Sequence, residues 1–189
     1  MAVKTFTQAQ LTASDVNTYA LKGDTFIASA SVTAGQLINC FTSTYEQYKI
    51  VVSNFVATTD CHLWMQTGYN GGTIWIGGGY YQGGAYQGYS TGTISAFVNN
   101  NAAPYFYICG GCNAATGFPN SAVVNLTRPS LNTYLAYSAQ GTYHLSVNIS
   151  AIQHYGQNTS AQVADSIRWA TTAGAVSSGT ISVYGVMQP

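Results

Sequence analysis

From about Thr25 onward, apolar and polar residues alternate in short runs broken by clusters of Gly, Asn, Ser and Pro. A period of two is what a β-strand with one buried face produces. Tyr48, Ile50 and Val52 share one side of their run, as do Leu63 with Met65, Leu145 with Val147 and Ile149, and Ile181 with Val183. The pattern predicts strands over Phe26–Val32, Gln36–Phe41, Tyr48–Val56, Cys61–Thr67, Thr73–Gly77, Thr93–Val98, Tyr105–Cys109, Ala122–Thr127, Thr133–Ser138, Tyr143–Ile149, Ser166–Thr171 and Thr180–Val186. No long helical repeat interrupts them, and strands at this spacing belong to a sandwich or barrel. Residues 25–189 are expected to form an all-β domain, a jelly-roll-like antiparallel β-sandwich whose inner faces make one core.

Residues 1–24 read differently. In the run from Leu11 to Leu21, Thr12 or Ser14 can cap a short helix with Val16, Tyr19 and Ala20 on one face, and Gly23 stops it. Isolated helices below about 12–15 residues are marginal in water, so this one needs a surface to dock on. It is expected to be an attachment arm, with Leu11, Val16, Tyr19 and Leu21 as its docking residues.

The stretch Gly68–Gly92 carries glycine at a density that supplies no core. It is expected as a long surface loop that displays aromatic rings, either plain connection or a subunit or ligand contact. Trp75, Tyr80, Tyr81, Tyr86 and Tyr89 are the candidates for that contact. Trp75, set among glycines, is expected to be partly exposed, and Trp64 and Trp169 to lie in the core or between sheets.

Composition narrows the classes. The chain of 189 residues is 47% apolar and 5% charged, with five Lys plus Arg against five Asp plus Glu. An average soluble domain is about 25% charged, so solubility here rests on Ser, Thr, Asn, Gln and Gly. A chain without net charge has no electrostatic footprint for nucleic acid or for anionic membranes. It contains no run of 18 apolar residues, and Met1–Asp15 lacks the layout of a secretion signal, so assembly in a cytoplasm without membrane insertion is expected. Fifteen Tyr, seven Phe and three Trp exclude a disordered chain.

Candidate chemistry is sparse. Cys109-Gly110-Gly111-Cys112 has the spacing of a zinc knuckle, but Cys40 and Cys61 stand far apart in separate strands. Metal, a disulfide and reduced thiols are all open for these four, and reduced structural thiols fit a cytoplasmic protein best. His62, His144 and His154 could join Asp60 or Asp165 and a serine in a hydrolytic triad, yet no Gly-x-Ser-x-Gly elbow marks one. His144 is expected at a strand surface or edge. Paired-carboxylate glycoside cleavage would have to draw on Asp15, Asp24, Glu46, Asp60 and Asp165; the first two are assigned to the arm, and Glu46 is expected to pair with Lys49. No Asp-rich loop suits calcium. No catalytic residue, metal or cofactor is therefore assigned.

Both ends of the chain resemble virion structural proteins of tailed bacteriophages, small proteins attached to tails, fibres or capsids. The N-terminal run Phe6–Tyr19, with Leu11-Thr12-Ala13-Ser14-Asp15-Val16-Asn17, resembles the opening of such proteins. Ser177–Val186 resembles their terminal strand, and Thr44–Ile50 an early core strand. The resemblance implies membership in a virion, a sandwich fold, contacts with other capsid or tail proteins, and a homo-oligomer with a trimer favoured. It brings no catalytic residues. The expected function is a non-enzymatic capsid-decorating or tail-associated protein; the alternative is a receptor-binding module of a tail fibre that meets a host glycan through the aromatic loop.

Overall fold

The computed structural model describes residues 23–88, 92–112, 119–145 and 148–186. The arm residues Leu11, Val16, Tyr19 and Leu21 lie outside them, as does Tyr89. Among the described residues thirteen strands run in chain order: β1 (Asp24–Ser31), β2 (Gln36–Leu37), β3 (Gln47–Ala57), β4 (Cys61–Tyr69), β5 (Ile74–Trp75), β6 (Tyr80–Gly88), β7 (Ile94–Ala103), β8 (Phe106–Cys112), β9 (Asn120–Thr127), β10 (Leu135–Leu145), β11 (Asn148–Asn158), β12 (Ser166–Thr171) and β13 (Val176–Val186). One 3-10 turn, Val32–Ala34, joins β1 to β2.

Two antiparallel sheets pack face to face. The larger has the order β1-β13-β3-β9-β10-β11-β6-β7. The smaller has the order β2-β12-β4-β5, and β8 pairs with β4. Because β5 pairs with Gly68 and Tyr69 while β8 pairs with Cys61 to Met65, β5 and β8 share one edge of β4 end to end. Tyr48, Ile50, Val52, Val124, Leu126, Ile181 and Val183 of the larger sheet face Leu63, Met65, Phe106, Ile108, Ile167 and Trp169 of the smaller, all buried. The indole of Trp169 donates to Val32 O at 2.6 Å, which satisfies the one polar atom this large side chain takes inside.

Four expectations change. The glycine-rich stretch is not a loop: it contains β5 and the nine-residue β6, hydrogen-bonded to β11 on one side and β7 on the other. Glycine erases the alternation that announces a strand, yet here the neighbours supply the packing. Second, Leu145 and Ile149 do not share a run, because Leu145 pairs with Asn148 and the chain reverses between β10 and β11. Third, Gln36–Phe41 keeps only Gln36–Leu37 as strand; Cys40 and Phe41 turn inward, where the Phe41 N–H donates to Asp165 O. Fourth, Asp24 lies in β1 rather than the arm and takes Lys49 at 2.7 Å, leaving Glu46 to Arg128 at 3.7 Å. Lys49 stands opposite Tyr184 of β13, whose other neighbour is β1, so Asp24 is the acid within its reach.

Candidate functional site

The outer face of the smaller sheet carries a cluster of aromatic and polar side chains. In β4, Cys61, Leu63, Met65 and Thr67 point inward, which sends His62, Trp64, Gln66 and Gly68 outward. In the neighbouring β8 Phe106 and Ile108 are buried while Tyr107, and Tyr105 just before the strand, are half-buried at the surface. Trp64 and Tyr105 stack with ring centroids 4.9 Å apart and planes 17° from parallel. Tyr107 meets Tyr105 edge-on at 5.4 Å and His62 at 5.2 Å. Four rings thus run together along one edge of the sandwich.

Two glutamines hold this row in place. Gln66 Nε2 donates to Pro104 O, and its Oε1 accepts from Arg168 Nε at 2.5 Å. From the other sheet, buried Gln82 donates through Nε2 to Tyr105 O at 3.4 Å and accepts from Tyr107 N at 2.8 Å and from the Tyr137 hydroxyl at 3.1 Å. The backbone bearing both tyrosines is therefore fixed from either side, and buried amides so fully satisfied act as rigid anchors.

Beyond Gln66 the guanidinium of Arg168 lies over the Trp75 ring, 5.0 Å from its centroid. Trp75 itself covers Gly68, its strand partner; a Cβ at Gly68 would come within 2.5 Å of the indole, so the ring can lie flat only because that position is glycine. Among the described residues no carboxylate lies within ion-pair distance of Arg168. Burial lowers the His62 pKa and so keeps that ring neutral at pH 7. Burial, and then its hydroxyl neighbour on Tyr105, pushes Tyr107 up to about 12. Arg168 is the charged side chain of this cluster.

The five expected contact aromatics do not form one surface. Trp75 is half-buried and belongs to the row just described. Tyr80 is a correction: it is fully buried, with its hydroxyl 3.0 Å from both Thr67 N and Thr67 Oγ1, because β6 turns that residue toward the smaller sheet. Tyr81 and Tyr86 are each 38% exposed, but their odd spacing in β6 sends them to opposite faces. Trp64, expected in the core or between the sheets, stands on the outer face. Its signal was in the text, since Cys61, Leu63 and Met65 already claim the inner side of that strand.

Of the other residues weighed for chemistry, His62 and His154 both stand beside Tyr107, with ring centroids 5.2 and 6.5 Å from it. Cys40, Cys61 and Cys109 are buried, and burial pushes the Cys40 thiol up to about 12 while its Sγ leans on Leu37 O at 3.6 Å. Cys112 stands opposite Cys61 in the β4–β8 ladder. Among the described residues no group of His, Cys, Asp and Glu is placed to hold a metal ion. His154 is buried in β11, and burial followed by the His62 charge lowers its pKa to about 4. Asp165 caps the Asn70-Gly71-Gly72 turn by accepting from Gly71 N at 2.9 Å.

A second surface is large and plain. Five neighbouring strands of the larger sheet, β9-β10-β11-β6-β7, contain no Asp, Glu, Lys or Arg. The outer side of the larger sheet holds two shallow grooves, one of about 440 Å³ between Val51 of β3, Val123 and Gln140, the other of about 370 Å³ between Ala85, Ile94 and Gln153. No protein-family model and no curated protein matches the chain.

Proposed function

We propose that this chain is a non-enzymatic virion structural protein of a tailed phage, attached through its N-terminal arm and assembled with copies of itself and with capsid or tail proteins. The observation that carries the assembly reading is the charge-free run of five strands that ends on the edge strand β7. Edge strands are open templates for pairing, and monomeric proteins blunt them with Lys, Pro or inward charges. β7 has none of these; its pairing with β6 is irregular opposite Tyr80 to Gln82, and at its other end Ile94 is 67% exposed. Such a face suits a neighbour rather than water.

The strand order supports the jelly-roll-like reading. The runs β1-β13-β3-β9 and β2-β12-β4-β8 hold four strands each, and the connections β1 to β2, β3 to β4, β8 to β9 and β12 to β13 all pass from one sheet to the other. Eight strands so linked make a double-sheet jelly roll, an arrangement found in capsid and lectin domains. The hairpins β6-β7 and β10-β11 then appear as additions that widen the larger sheet, and they carry most of the charge-free face. The virion assignment is supported by the terminal resemblance.

Light scattering on the purified protein tests the assembly reading. The wild type is expected as a closed oligomer at micromolar concentration, a trimer favoured. Ala85 and Ala96 pair across β6 and β7, so Ala85→Lys with Ala96→Lys places two charges on the face. The double variant should dissociate with its β-rich circular dichroism spectrum retained. A monomeric wild type, or an oligomer indifferent to the two lysines, overturns the reading. The aromatic row favours a second reading, a module that meets a glycan, through a face that includes Trp75 of the glycine-rich stretch but not Tyr80, Tyr81 or Tyr86.

A further inference from the structure

We propose that the outer face of the smaller sheet is a carbohydrate-binding platform, with Trp64 as the stacking surface for a pyranose ring and Arg168 as the partner of a carboxylate on an acidic sugar. The inference rests on the glycan-binding reading and names its site and ligand class.

The strand register builds the niche. Ala170 stands opposite Trp64, and Arg168 opposite Gln66, across β12 and β4. Arg168 and Trp64 are therefore diagonal neighbours on one face, about 7–8 Å apart at Cα. Ala170 has no side chain beyond Cβ, so the sheet surface is low between the indole and the guanidinium. One face of Trp64 is taken by Tyr105; the other borders this niche. An aromatic face beside a low, polar-walled spot is the setting in which an amphipathic ring binds, its C–H side on the indole and its hydroxyls on amides.

Charge decides the class of sugar. Arg168 is held between Trp75 and Gln66, with Nε already committed to the Gln66 oxygen. Its terminal N–H groups meet no described carboxylate. A planar guanidinium fixed in orientation recognises a carboxylate through paired hydrogen bonds. Because Tyr107 and His62 are neutral at pH 7, nothing in the aromatic row opposes an anionic ligand. Of the outward positions on β4, His62 and Trp64 are open to solvent while Gln66 is buried and Gly68 lies under Trp75, so the platform is short and takes the ring at Trp64 rather than a long chain.

Isothermal titration of the full chain with sialyllactose and a galacturonic acid trimer, against lactose and cellotriose, tests the proposal. The acidic sugars should bind, and binding should weaken with added salt. Trp64→Ala should weaken it about tenfold or more, the worth of one lost stacking contact. Arg168→Gln should lower affinity for the acidic sugars to that of their neutral counterparts. Trp64→Phe, which keeps a ring, should restore part of the loss, and thermal melts confirm that each variant is folded. Binding of neutral sugars as tight as acidic ones, or indifference to Arg168→Gln, overturns the acidic-sugar proposal and leaves the glycan reading standing. Absence of binding by all four sugars overturns both, whereas binding indifferent to Trp64→Ala overturns the platform and leaves the glycan reading standing.

Discussion

His154 shows what one buried titratable side chain does to this fold. It faces inward from β11, opposite Gly84 of β6, where the absence of a side chain makes room for the imidazole. Burial, then the His62 charge, brings its pKa from 6.5 to about 4. The folded state thus favours the neutral ring. Above pH 6.5 neither state holds the proton and the fold has its full stability; between pH 6.5 and 4 the unfolded chain takes the proton first. Stability should fall with pH across that window, by up to about 1.4 kcal/mol per unit. Melts between pH 7 and 4.5 are expected to show a steady loss, and His154→Leu should remove most of that slope. An equal slope in the variant would assign the acid sensitivity elsewhere. His62, lowered in the same direction, accounts for a smaller remainder.

At the level of the element, β6 and β11 explain how a glycine-rich text becomes sheet. Gly156 of β11 faces Gln82 of β6, and a Cβ there would strike Tyr81 O and the Tyr137 ring. Gly185 in β13 plays the same part for Tyr45, whose ring atoms would lie 2.5–2.6 Å from an added Cβ. In both places an aromatic ring replaces the side chain that glycine lacks. This is how a strand without its own apolar alternation gains packing. Gly156→Ala should destabilise by about 1–3 kcal/mol, the range for forcing extra volume into a filled core. A denaturant midpoint equal to the wild type would show that the Tyr137 ring moves aside freely. The strands that were readable in advance include β1, β3, β4, β8, β9, β12 and β13, whose runs are rich in β-branched and aromatic side chains. Those that were missed, β6 and β11, are Gly-rich or dense in Asn, Gln and Ser.

For the whole molecule, the two sheets and their core close within residues 23–186, and β1 begins where the arm was expected to end. Removing residues 1–22 should leave a chain that melts cooperatively within a few degrees of the wild type. The same deletion should abolish incorporation into particles. Unfolding of the truncated chain, or normal incorporation, would contradict the arm assignment. How the chain reads as text and how it folds diverge in an orderly way. The alternation of Tyr48-Ile50-Val52, Leu63-Met65 and Ile181-Val183 determined an all-β domain with one core, because side-chain direction along a strand is a local property of the backbone. The charge-poor composition likewise set the character of every surface. Which outward residues meet was decided only by tertiary structure: Trp64, Tyr105 and Arg168 come from strands about 40 to 100 positions apart, and their adjacency depends on strand order and register. The fate of Tyr80 was decided there too, since its burial follows from where β6 pairs and not from its neighbours in sequence. Local pattern fixes the face a residue takes, while long-range pairing fixes what that face touches.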